Sequence, residues 1–426
     1  MKKLIITGGG WAGVSAAVSA VNAGASVTVL ERTDMLLGTG LVGGIMRNNG
    51  RFTATEEAIA MGGGEVFEVI DKNCRHRNVE FPGHKHASLY DIASTEPAIK
   101  NLLLSKNVEL RMEARVIDTK VSNGKVTAVV LDGGEEISGD VFIDATGTAG
   151  PMNNCIKYGN GCAMCVLRCP SFGGRVSLVG KAGIQEKMGE KADGSIGAMS
   201  GSCKLFKESL SKEIVDKLNS AGVAIIAIPE HLKINSDKLS GKACQQYALP
   251  EFADNIILLD TGHAKLMNPY YPLKELRNIP GFENARYEDP YSGGKGNSMR
   301  YMALSPRDNT LNVIGMENLF CCGEKAGLLV GHTEAISTGI LAGHNAVRRV
   351  MGRELLVLPE SLAIGDAISY VGEMMKTKEG MGLKYTFSGS VYFKRMQEKG
   401  LYTTDIAAIR DRVEKAKLTG IFGKKL

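Results

Sequence analysis

In residues 3–31, two apolar runs flank a stretch in which small apolar residues recur at helical spacing. An apolar run, Leu4-Ile5-Ile6, is followed by glycines, and small apolar residues then recur at helical spacing from Val14 to Ala23. A second apolar run, Val27 to Leu30, ends at an acidic residue, Glu31. The pattern predicts a strand, a helix and a second strand in direct succession.

The glycines between the first strand and the helix have the spacing G-x-G-x-x-G, at Gly8, Gly10 and Gly13. In a dinucleotide-binding βαβ unit these glycines permit a tight turn, close approach to a pyrophosphate, and packing of the helix near the strand. The helix N-terminus favours phosphates, and Glu31 can accept a hydrogen bond from a ribose 2′-hydroxyl. Because an acid disfavours a 2′-phosphate, the pattern favours FAD or NAD over NADP. Further predicted cofactor contacts are Trp11, Ala12, Arg32, Gly38 and Gly43.

The glycine-rich loop that contains Gly38 and Gly43 can pass beside a flat cofactor ring, and a surface loop is the alternative. Residues 53–72 are predicted to be helical with a break at three glycines, and residues 94–106 to form a helix capped by Ser94 or Thr95. The segment 74–86 is rich in Arg, His and Lys. A solvated loop is favoured there over a surface that binds an anionic substrate.

From Val108 the hydrophobic period changes to two. Two such stretches flank Asn123-Gly124, which predicts a β-hairpin. A buried strand over 141–143 then enters Ala145-Thr146-Gly147. A G-x-G-x-x-G unit ending in Glu, a hairpin and a strand entering Ala-Thr-Gly together resemble the glutathione-reductase-like FAD flavoproteins. The resemblance implies that FAD is also contacted by Val116, Ala145, Thr146 and Gly147.

An apolar strand that runs into Gly323-Glu324, followed by a helix of small residues, resembles the second FAD motif of the same class. The resemblance implies that Glu324 binds the ribityl or pyrophosphate side and that the helix start near Thr333 stabilises reduced flavin. Residues 311–371 also resemble the flavoproteins that modify transfer-RNA uridines, the folate-dependent uracil methyltransferase and its larger relative. This resemblance implies RNA as a partner.

The predicted fold is α/β: a Rossmann-like FAD-binding domain, with a βαβ parallel sheet and a β-hairpin, interrupted by an inserted α+β substrate domain and followed by a helical C-terminal tail. The predicted boundaries are 1–150 and 256–360 for the FAD-binding domain, 151–255 for the insertion and 361–426 for the tail. Within the insertion, residues 204–221 are predicted to be a helix and 223–228 a strand. The strand predicted at 255–260 is expected to lead from the insertion back into the FAD-binding domain.

The insertion carries a cysteine run, Cys155, Cys162, Cys165 and Cys169, whose last three members and Pro170 spell C-x-x-C-x-x-x-C-P. This spacing matches the closing part of the bacterial ferredoxin run and favours a [4Fe-4S] cluster. A redox dithiol at Cys162 and Cys165 that exchanges electrons with flavin is the second interpretation. Structural or zinc-binding cysteines are the third.

Composition limits the class of protein without selecting a substrate. The chain has 426 residues, 44% hydrophobic and 23% charged, with a formal net charge of +5, which is ordinary for a globular protein and allows a polyanionic partner. No apolar run reaches the length of a membrane span, and nine cysteines without a secretion signal favour a reducing, cytoplasmic location. We expect a homo-oligomer.

The leading functional hypothesis is an FAD-dependent oxidoreductase that passes hydride or electrons through flavin to a small-molecule substrate. No second strand–glycine–helix unit occurs in the sequence, so electrons would come from transiently bound NAD(P)H or a protein donor. The alternatives are a folate- and FAD-dependent enzyme that modifies RNA uridines, although its cysteine-and-serine signature is absent, and a flavin-bearing electron-transfer subunit. The candidate catalytic residues are Lys295, Arg300 and Cys322, and solvated loop charges are the alternative for Lys295 and Arg300. For Cys322, apolar filling of the strand before the Gly-Glu motif is favoured over a reactive thiol.

Overall fold

The structure is a computed structural model that describes residues 2–147, 169–190, 198–199, 203–233, 249–268, 271–288, 299–300 and 303–426. Its strands are β1 (Lys3–Thr7), β2 (Ser26–Leu30), β3 (Ile45–Met46), β4 (Cys74–Phe81), β5 (His84–Tyr90), β6 (Glu109–Arg111), β7 (Val116–Ser122), β8 (Lys125–Leu131), β9 (Glu136–Ser138), β10 (Val141–Asp144), β11 (Lys187–Met188), β12 (Ala198–Met199), β13 (Lys204–Leu205), β14 (Val223–Ala227), β15 (Asn255–Asp260), β16 (Ala264–Leu266), β17 (Met299–Arg300), β18 (Ala303–Leu304) and β19 (Leu319–Cys321).

The α-helices of the described ranges are α1 (Trp11–Asn22), α2 (Gly50–Ala60), α3 (Glu65–Lys72), α4 (Ile92–Ser105), α5 (Cys169–Phe172), α6 (Leu178–Lys181), α7 (Lys212–Ala221), α8 (Glu251–Asp254), α9 (Leu273–Leu276), α10 (His332–Val350), α11 (Ala363–Met374), α12 (Lys378–Met381), α13 (Ser390–Glu398) and α14 (Ile406–Lys415). Along this part of the chain, no helix is long and apolar enough to cross a membrane. The predicted helical C-terminal region is confirmed by α11 to α14.

A parallel sheet in the order β19-β10-β1-β2-β6 forms the centre of the fold, as predicted for a Rossmann-like domain. Ile5 in β1 lies between Phe142 of β10 and Thr28 of β2. The residues from Leu4 to Ile6 and from Val141 to Ile143 have no solvent exposure, because a parallel sheet is covered on both faces. The strands predicted around residues 4–6, 27–30 and 141–143 are therefore confirmed.

Helices α1 and α10 pack together closely enough that glycine is required between them. A Cβ atom at Gly339 would lie 2.3 Å from the carbonyl oxygen of Ala12, and one at Gly343 would lie 2.2 Å from that of Ala16. Since real Cβ atoms do not approach oxygen so closely, the small residues in both helices set their separation. The packing brings the N-termini of both helices to the carboxyl edge of the parallel sheet.

The predicted β-hairpin is confirmed, and β9 extends it in the order β7-β8-β9. Asn123 and Gly124 have φ angles of +49° and +72°, the left-handed pair that a tight two-residue hairpin turn requires.

An antiparallel sheet in the order β13-β16-β15-β14 lies outside the parallel sheet. The strand predicted at 255–260 exists, but it pairs with β14 and β16 and does not return to the parallel sheet. The helix predicted at 204–221 begins only at Lys212, where Ser211 caps it, because residues 204–205 are used as a strand paired with β16. The predicted boundaries of the four segments stay predictions.

The prediction of a solvated loop over residues 74–86 is wrong, because these residues form β4 and β5 in the sheet β3-β5-β4. Arg75 and His76 are held by the buried carboxylate of Asp260, at 3.1 and 2.8 Å, and His84 is 2% exposed. The cap predicted for the following helix is also wrong. Asp91 accepts from the N–H groups of residues 93 and 94, so α4 begins at Ile92.

Candidate cofactor site

A pocket opens at the carboxyl edge of the parallel sheet, with about 720 Å³ of space including its open mouth, within the usual size range of ligand sites. Five segments line it: the β1–α1 turn, the end of β2 with the following loop, the start of β7, the turn after β10, and residues 175–176. The pocket contains these residues predicted from the sequence as cofactor contacts: Gly8, Gly10, Glu31, Arg32, Gly38, Val116, Ala145, Thr146 and Gly147.

The glycines of the fingerprint have different structural roles. Gly8 has a φ angle of +103°, and a Cβ atom there would lie 2.4 Å from the carbonyl oxygen of Ala145. A Cβ atom at Gly13 would lie 1.9 Å from the carbonyl oxygen of Gly8. At Gly10, by contrast, the nearest atom would be the Leu37 carbonyl oxygen at 4.0 Å. Gly8 and Gly13 are therefore required by the fold, whereas Gly10 leaves space that a bound group can enter.

Glu31 is held rigidly at the end of β2 and is 7% exposed. Its Oε2 atom accepts from the N–H of Gly9 at 2.8 Å, and its Oε1 atom accepts from the N–H and hydroxyl of Thr33 at 2.8 and 3.0 Å. Each carboxylate oxygen has two acceptor positions, so Oε2 retains capacity for a ligand hydroxyl. Binding of a ribose hydroxyl by Glu31 stays a prediction.

The donor and acceptor set of the pocket fits the dinucleotide that the fold implies. Thr7 is 6% exposed and lines the pocket, and its buried Oγ1 atom has no hydrogen-bond partner among the described residues. A buried hydroxyl without a partner is costly unless a ligand or water satisfies it. Leu30, Leu41 and Val116 supply apolar lining, and the N-terminus of α1 favours phosphate. FAD would therefore be held by Thr7, Gly10, Glu31 and their neighbours.

Two arginines of the pocket, Arg115 and Arg175, were not predicted from the sequence. Arg115 donates to the carbonyl oxygen of Gly174 at 3.0 Å, and Arg175 donates to that of Thr146 at 3.0 Å. Arg32, which was predicted, donates to the carbonyl oxygen of Gly173. These bonds hold residues 173–175 against the pocket rim. Only the position of Arg115 next to Val116 offered a sequence signal, because Arg175 comes from the far side of the cysteine run.

The other predicted cofactor contacts lie outside the pocket lining. Trp11, Ala12 and Gly13 belong to α1. A Cβ atom at Gly323 would lie 2.9 Å from the Cβ atom of Ala12, so the two predicted FAD motifs are in contact, and their binding of FAD stays a prediction. Glu324 is 9% exposed in the short 3₁₀ helix Gly323–Ala326. Gly43 lies beyond the pocket, against the ring of His332.

The structure does not support a reactive thiol at Cys322. Its side chain has no solvent exposure, and burial raises its pKa well above the ordinary value. Since the thiolate is the nucleophilic form, Cys322 acts as core filling. Lys295 lies outside the described residues, and the side chain of Arg300, in β17, is not described.

The cysteine run also falls mostly outside the described residues. Cys155, Cys162 and Cys165 lie in the undescribed segment 148–168, and Cys169 begins α5, where its side chain is not described. Within the ranges that the structure covers, no group of His, Cys, Asp and Glu side chains could hold a metal ion.

A buried ionic cluster fixes the neighbouring turn. Lys325 has no solvent exposure; it pairs with Glu186, donates to the hydroxyl of Ser177 at 2.8 Å and lies 4.0 Å from Asp144. Asp144 also accepts from Thr146 N–H at 3.0 Å. The cluster therefore connects the second FAD motif, the turn after β10 and the segment near residue 180.

Comparison with known families agrees with the site. Residues 3–152 match the family described as FAD dependent oxidoreductase, and residues 261–354 match the family described as glucose inhibited division protein A. The first range contains the glycine fingerprint and the Ala-Thr-Gly turn, and the second contains the Gly-Glu motif. These matches agree with the predicted class, because over these two ranges the chain is similar to FAD-dependent oxidoreductases and to glucose inhibited division protein A.

Individual relatives point to one group within this class. The chain is 33% identical over 111 residues to the tRNA uridine 5-carboxymethylaminomethyl modification enzyme MnmG of Chlorobaculum tepidum, which is 26% of this chain and 17% of that protein. It is 34% identical over 116 residues to the methylenetetrahydrofolate–tRNA-(uracil-5-)-methyltransferase TrmFO of Caldicellulosiruptor bescii, covering 26% and 24% of the two chains. The alignments therefore span less than a quarter of either relative.

The fold comparison extends over nearly the whole chain. The Aquifex aeolicus GidA structure in its form II crystal superimposes with a TM-score of 0.66 at 16% identity, covering 99% of this chain and 73% of that one. The predicted resemblance to GidA is thereby confirmed at the level of the fold.

Proposed function

We propose that this chain binds FAD in the pocket at the carboxyl edge of the parallel sheet and passes hydride or electrons through the flavin to a substrate. The observation that carries the proposal is the convergence of Gly10, Glu31 and the turn 145–147 around the unsatisfied Thr7 hydroxyl. FAD, when bound, supplies two-electron redox chemistry. The chain holds the adenine end, orients the cofactor and limits its contact with water.

Gly10→Val tests this placement, because the added side chain meets no protein atom closer than 4.0 Å at its Cβ and enters the pocket. We expect a folded protein that retains little or no FAD, measured by flavin absorbance per chain after heat release. Ser26→Val, an exposed position at the opposite edge of the same unit, should retain full flavin. A folded Gly10→Val protein with a full complement of FAD would remove the cofactor from this pocket.

The cysteine run is proposed to exchange electrons with this flavin. Support comes from the spacing C-x-x-C-x-x-x-C-P and from the residues that flank the run. Gly147 and Arg175, which flank the run in sequence, both line the pocket, and Arg175 donates to the carbonyl oxygen of Thr146 at 3.0 Å.

Iron analysis and thiol alkylation distinguish the three interpretations of this run. A [4Fe-4S] cluster would give about four irons per anaerobic chain, lost in Cys165→Ser with FAD retained. A dithiol would give no iron and two thiols that become alkylatable only after reduction. Metal-free protein whose thiols react equally before and after reduction would leave both redox roles without support.

An RNA uridine is the second candidate substrate. Both relatives named above act on tRNA. The last 37 residues contain nine Lys and Arg against four Asp and Glu, an excess equal to the net charge of the whole chain. Among these residues, Arg410, Lys417 and Lys424 have exposed side chains and can contact phosphates.

Charge reversal at Arg410, Lys417 and Lys424 should weaken tRNA binding and reduce its salt dependence, measured by filter binding at several salt concentrations. Reversal at Lys120 and Lys125, which are exposed on the β7–β8 hairpin, provides the control. If the tail variants and the hairpin variants bind tRNA with equal affinity, the tail does not form an RNA-binding surface.

The remaining partners stay predictions. Electrons are proposed to arrive from transient NAD(P)H or a protein donor, the location to be cytoplasmic and the chain to form a homo-oligomer. Lys295 and Arg300 are proposed to contact an anionic substrate, and unchanged kcat/KM in both alanine variants would exclude this role. A stable copurifying redox protein would instead favour an electron-transfer subunit.

A further inference from the structure

Residues 173–176, which we call the strap, lie at the rim of the cofactor pocket, and the last two of them line it. Arg32, which follows β2, donates to the carbonyl oxygen of Gly173, and Arg175 donates to that of Thr146, after β10. Since β1 lies between β2 and β10, these bonds attach the strap on both sides of the β1–α1 turn. Two strand spacings measure about 10 Å, a length that three residues of extended chain can span.

The strap is attached through side chains rather than through backbone pairing. Arg115 donates from Nε to the carbonyl oxygen of Gly174 at 3.0 Å and is itself paired with Asp132 at 2.9 Å. The N–H groups of Gly173, Gly174 and Val176 make no hydrogen bond to any residue that the structure describes. Because no helix or strand bond holds the strap, it can leave the rim without disrupting a helix or a sheet, and its two glycines give the backbone freedom to do so.

The chain that follows the strap is fixed in the core. Ser177 is 3% exposed, caps α6 and donates from its hydroxyl to Glu186 at 2.8 Å. The N–H of Val179 donates to the carboxylate of Asp144 at 3.0 Å, and the same carboxylate accepts from the N–H of Thr146 at 3.0 Å. The strap therefore has a fixed end at Ser177, tied to the turn that lines the pocket, and a detachable part before it.

We propose that the strap is a movable wall of the cofactor site, which detaches when FAD enters or leaves and closes when FAD is bound. The inference rests on the proposed binding of FAD. Arg175 and Val176 line the pocket while the strap is attached, so bound FAD gains their contacts only in the closed state, and the guanidinium of Arg175 favours an anionic ligand. A ligand that binds one state better shifts the population towards it. Detachment of the strap therefore sets the rate of FAD exchange.

The first test uses trypsin, which cleaves after Arg175 when the strap is detached, because proteases cut chain that is exposed and mobile. The initial rate of this cleavage is measured by mass spectrometry at short digestion times, with and without saturating FAD. We expect cleavage in the FAD-free protein and a rate at least about tenfold lower in the FAD-loaded protein. Equal rates in the two forms, or no cleavage after Arg175 in either, would overturn the proposal.

The second test weakens the closed state with Gly173→Ala. Gly173 has a φ angle of +74°, and a Cβ atom there would lie 2.8 Å from Cζ of Arg115, so the variant strains the backbone and pushes Arg115 away from the strap. We expect cleavage after Arg175 to become about tenfold faster, with FAD uptake and FAD release both accelerated. Gly183→Ala is the matched control: its φ angle is +85° with no atom within 4 Å, and it should behave as the unmodified protein.

The two rate constants for FAD distinguish a movable strap from a fixed wall. Loss of a fixed contact raises the release rate alone, whereas easier detachment raises the uptake rate as well. Uptake is followed by flavin fluorescence after FAD is mixed with FAD-free protein, and an unchanged uptake rate in Gly173→Ala would overturn the proposal. Unmodified protein that binds no FAD would instead overturn the proposed function, and the cleavage rates of FAD-free Gly173→Ala and Gly183→Ala would still decide whether the strap detaches.

Discussion

Glu57 should make the stability of this protein fall as the pH rises through neutrality. Its carboxylate has no solvent exposure and caps α11 from another helix, accepting from the N–H groups of Ala363 and Ile364 at 2.8 and 3.1 Å. Burial raises its pKa from 4.5 to about 7, although these two N–H groups and Arg412 act in the opposite direction. The folded state therefore binds a proton that the unfolded state releases at lower pH.

The direction and size of the pH dependence of stability follow from the difference between the folded and unfolded pKa values of Glu57. Because the pKa is raised on folding, the stabilising contribution is fully present below pH 4.5 and is lost as the pH rises through about 7. At 1.36 kcal/mol per pKa unit, the loss is about 3 kcal/mol. The glutamine of Glu57→Gln is neutral at every pH and keeps one of the two acceptor oxygens. The variant should therefore lose about 1 kcal/mol of unfolding free energy at every pH, for the one hydrogen bond to α11 that it cannot make.

The assay compares free energies of unfolding from urea titrations between pH 4.5 and 8.5. The free energy of Glu57→Gln relative to the unmodified protein should rise by about 3 kcal/mol across this range. Glu68→Gln, at an exposed position in α3, serves as the control and should run parallel to the unmodified protein. A Glu57→Gln difference that does not depend on pH would refute the assignment of this shift to Glu57.

Three further predictions concern packing and reactivity around the site. Gly339→Ala should lower the free energy of unfolding by about 2 kcal/mol or more, because its Cβ would lie 2.3 Å from the carbonyl oxygen of Ala12; a denaturant titration with no change would contradict the close helix contact. Lys325→Met leaves Glu186 buried without its cation and should cost about 3 kcal/mol or more, and an unchanged unfolding midpoint would show that the pair contributes nothing. Cys322 should resist iodoacetamide in the native protein and react after unfolding, as peptide mass mapping can show, since its thiol is buried with a raised pKa; rapid native labelling would restore it as a candidate.

The sequence by itself determined the elements whose signals are local. The βαβ unit, the hairpin at Asn123-Gly124 and the strand entering Ala145 depend on hydrophobic period and on glycine conformations within a few residues. The acid at residue 31 and the glycines at 8 and 10 reach the same pocket because the βαβ unit itself brings them together.

The tertiary structure decided what depends on contacts between distant residues. Residues 74–81 and 84–90 form strands whose Arg75 and His76 side chains contact Asp260, 184 positions from His76. Arg175 reaches the pocket from beyond the cysteine run, and Tyr90 meets His332 across 242 positions. The hydrophobic period of a stretch indicates which face of its helix or strand is buried. A hydrogen bond between two elements depends on how both are positioned in the fold, and no single stretch of sequence contains that information.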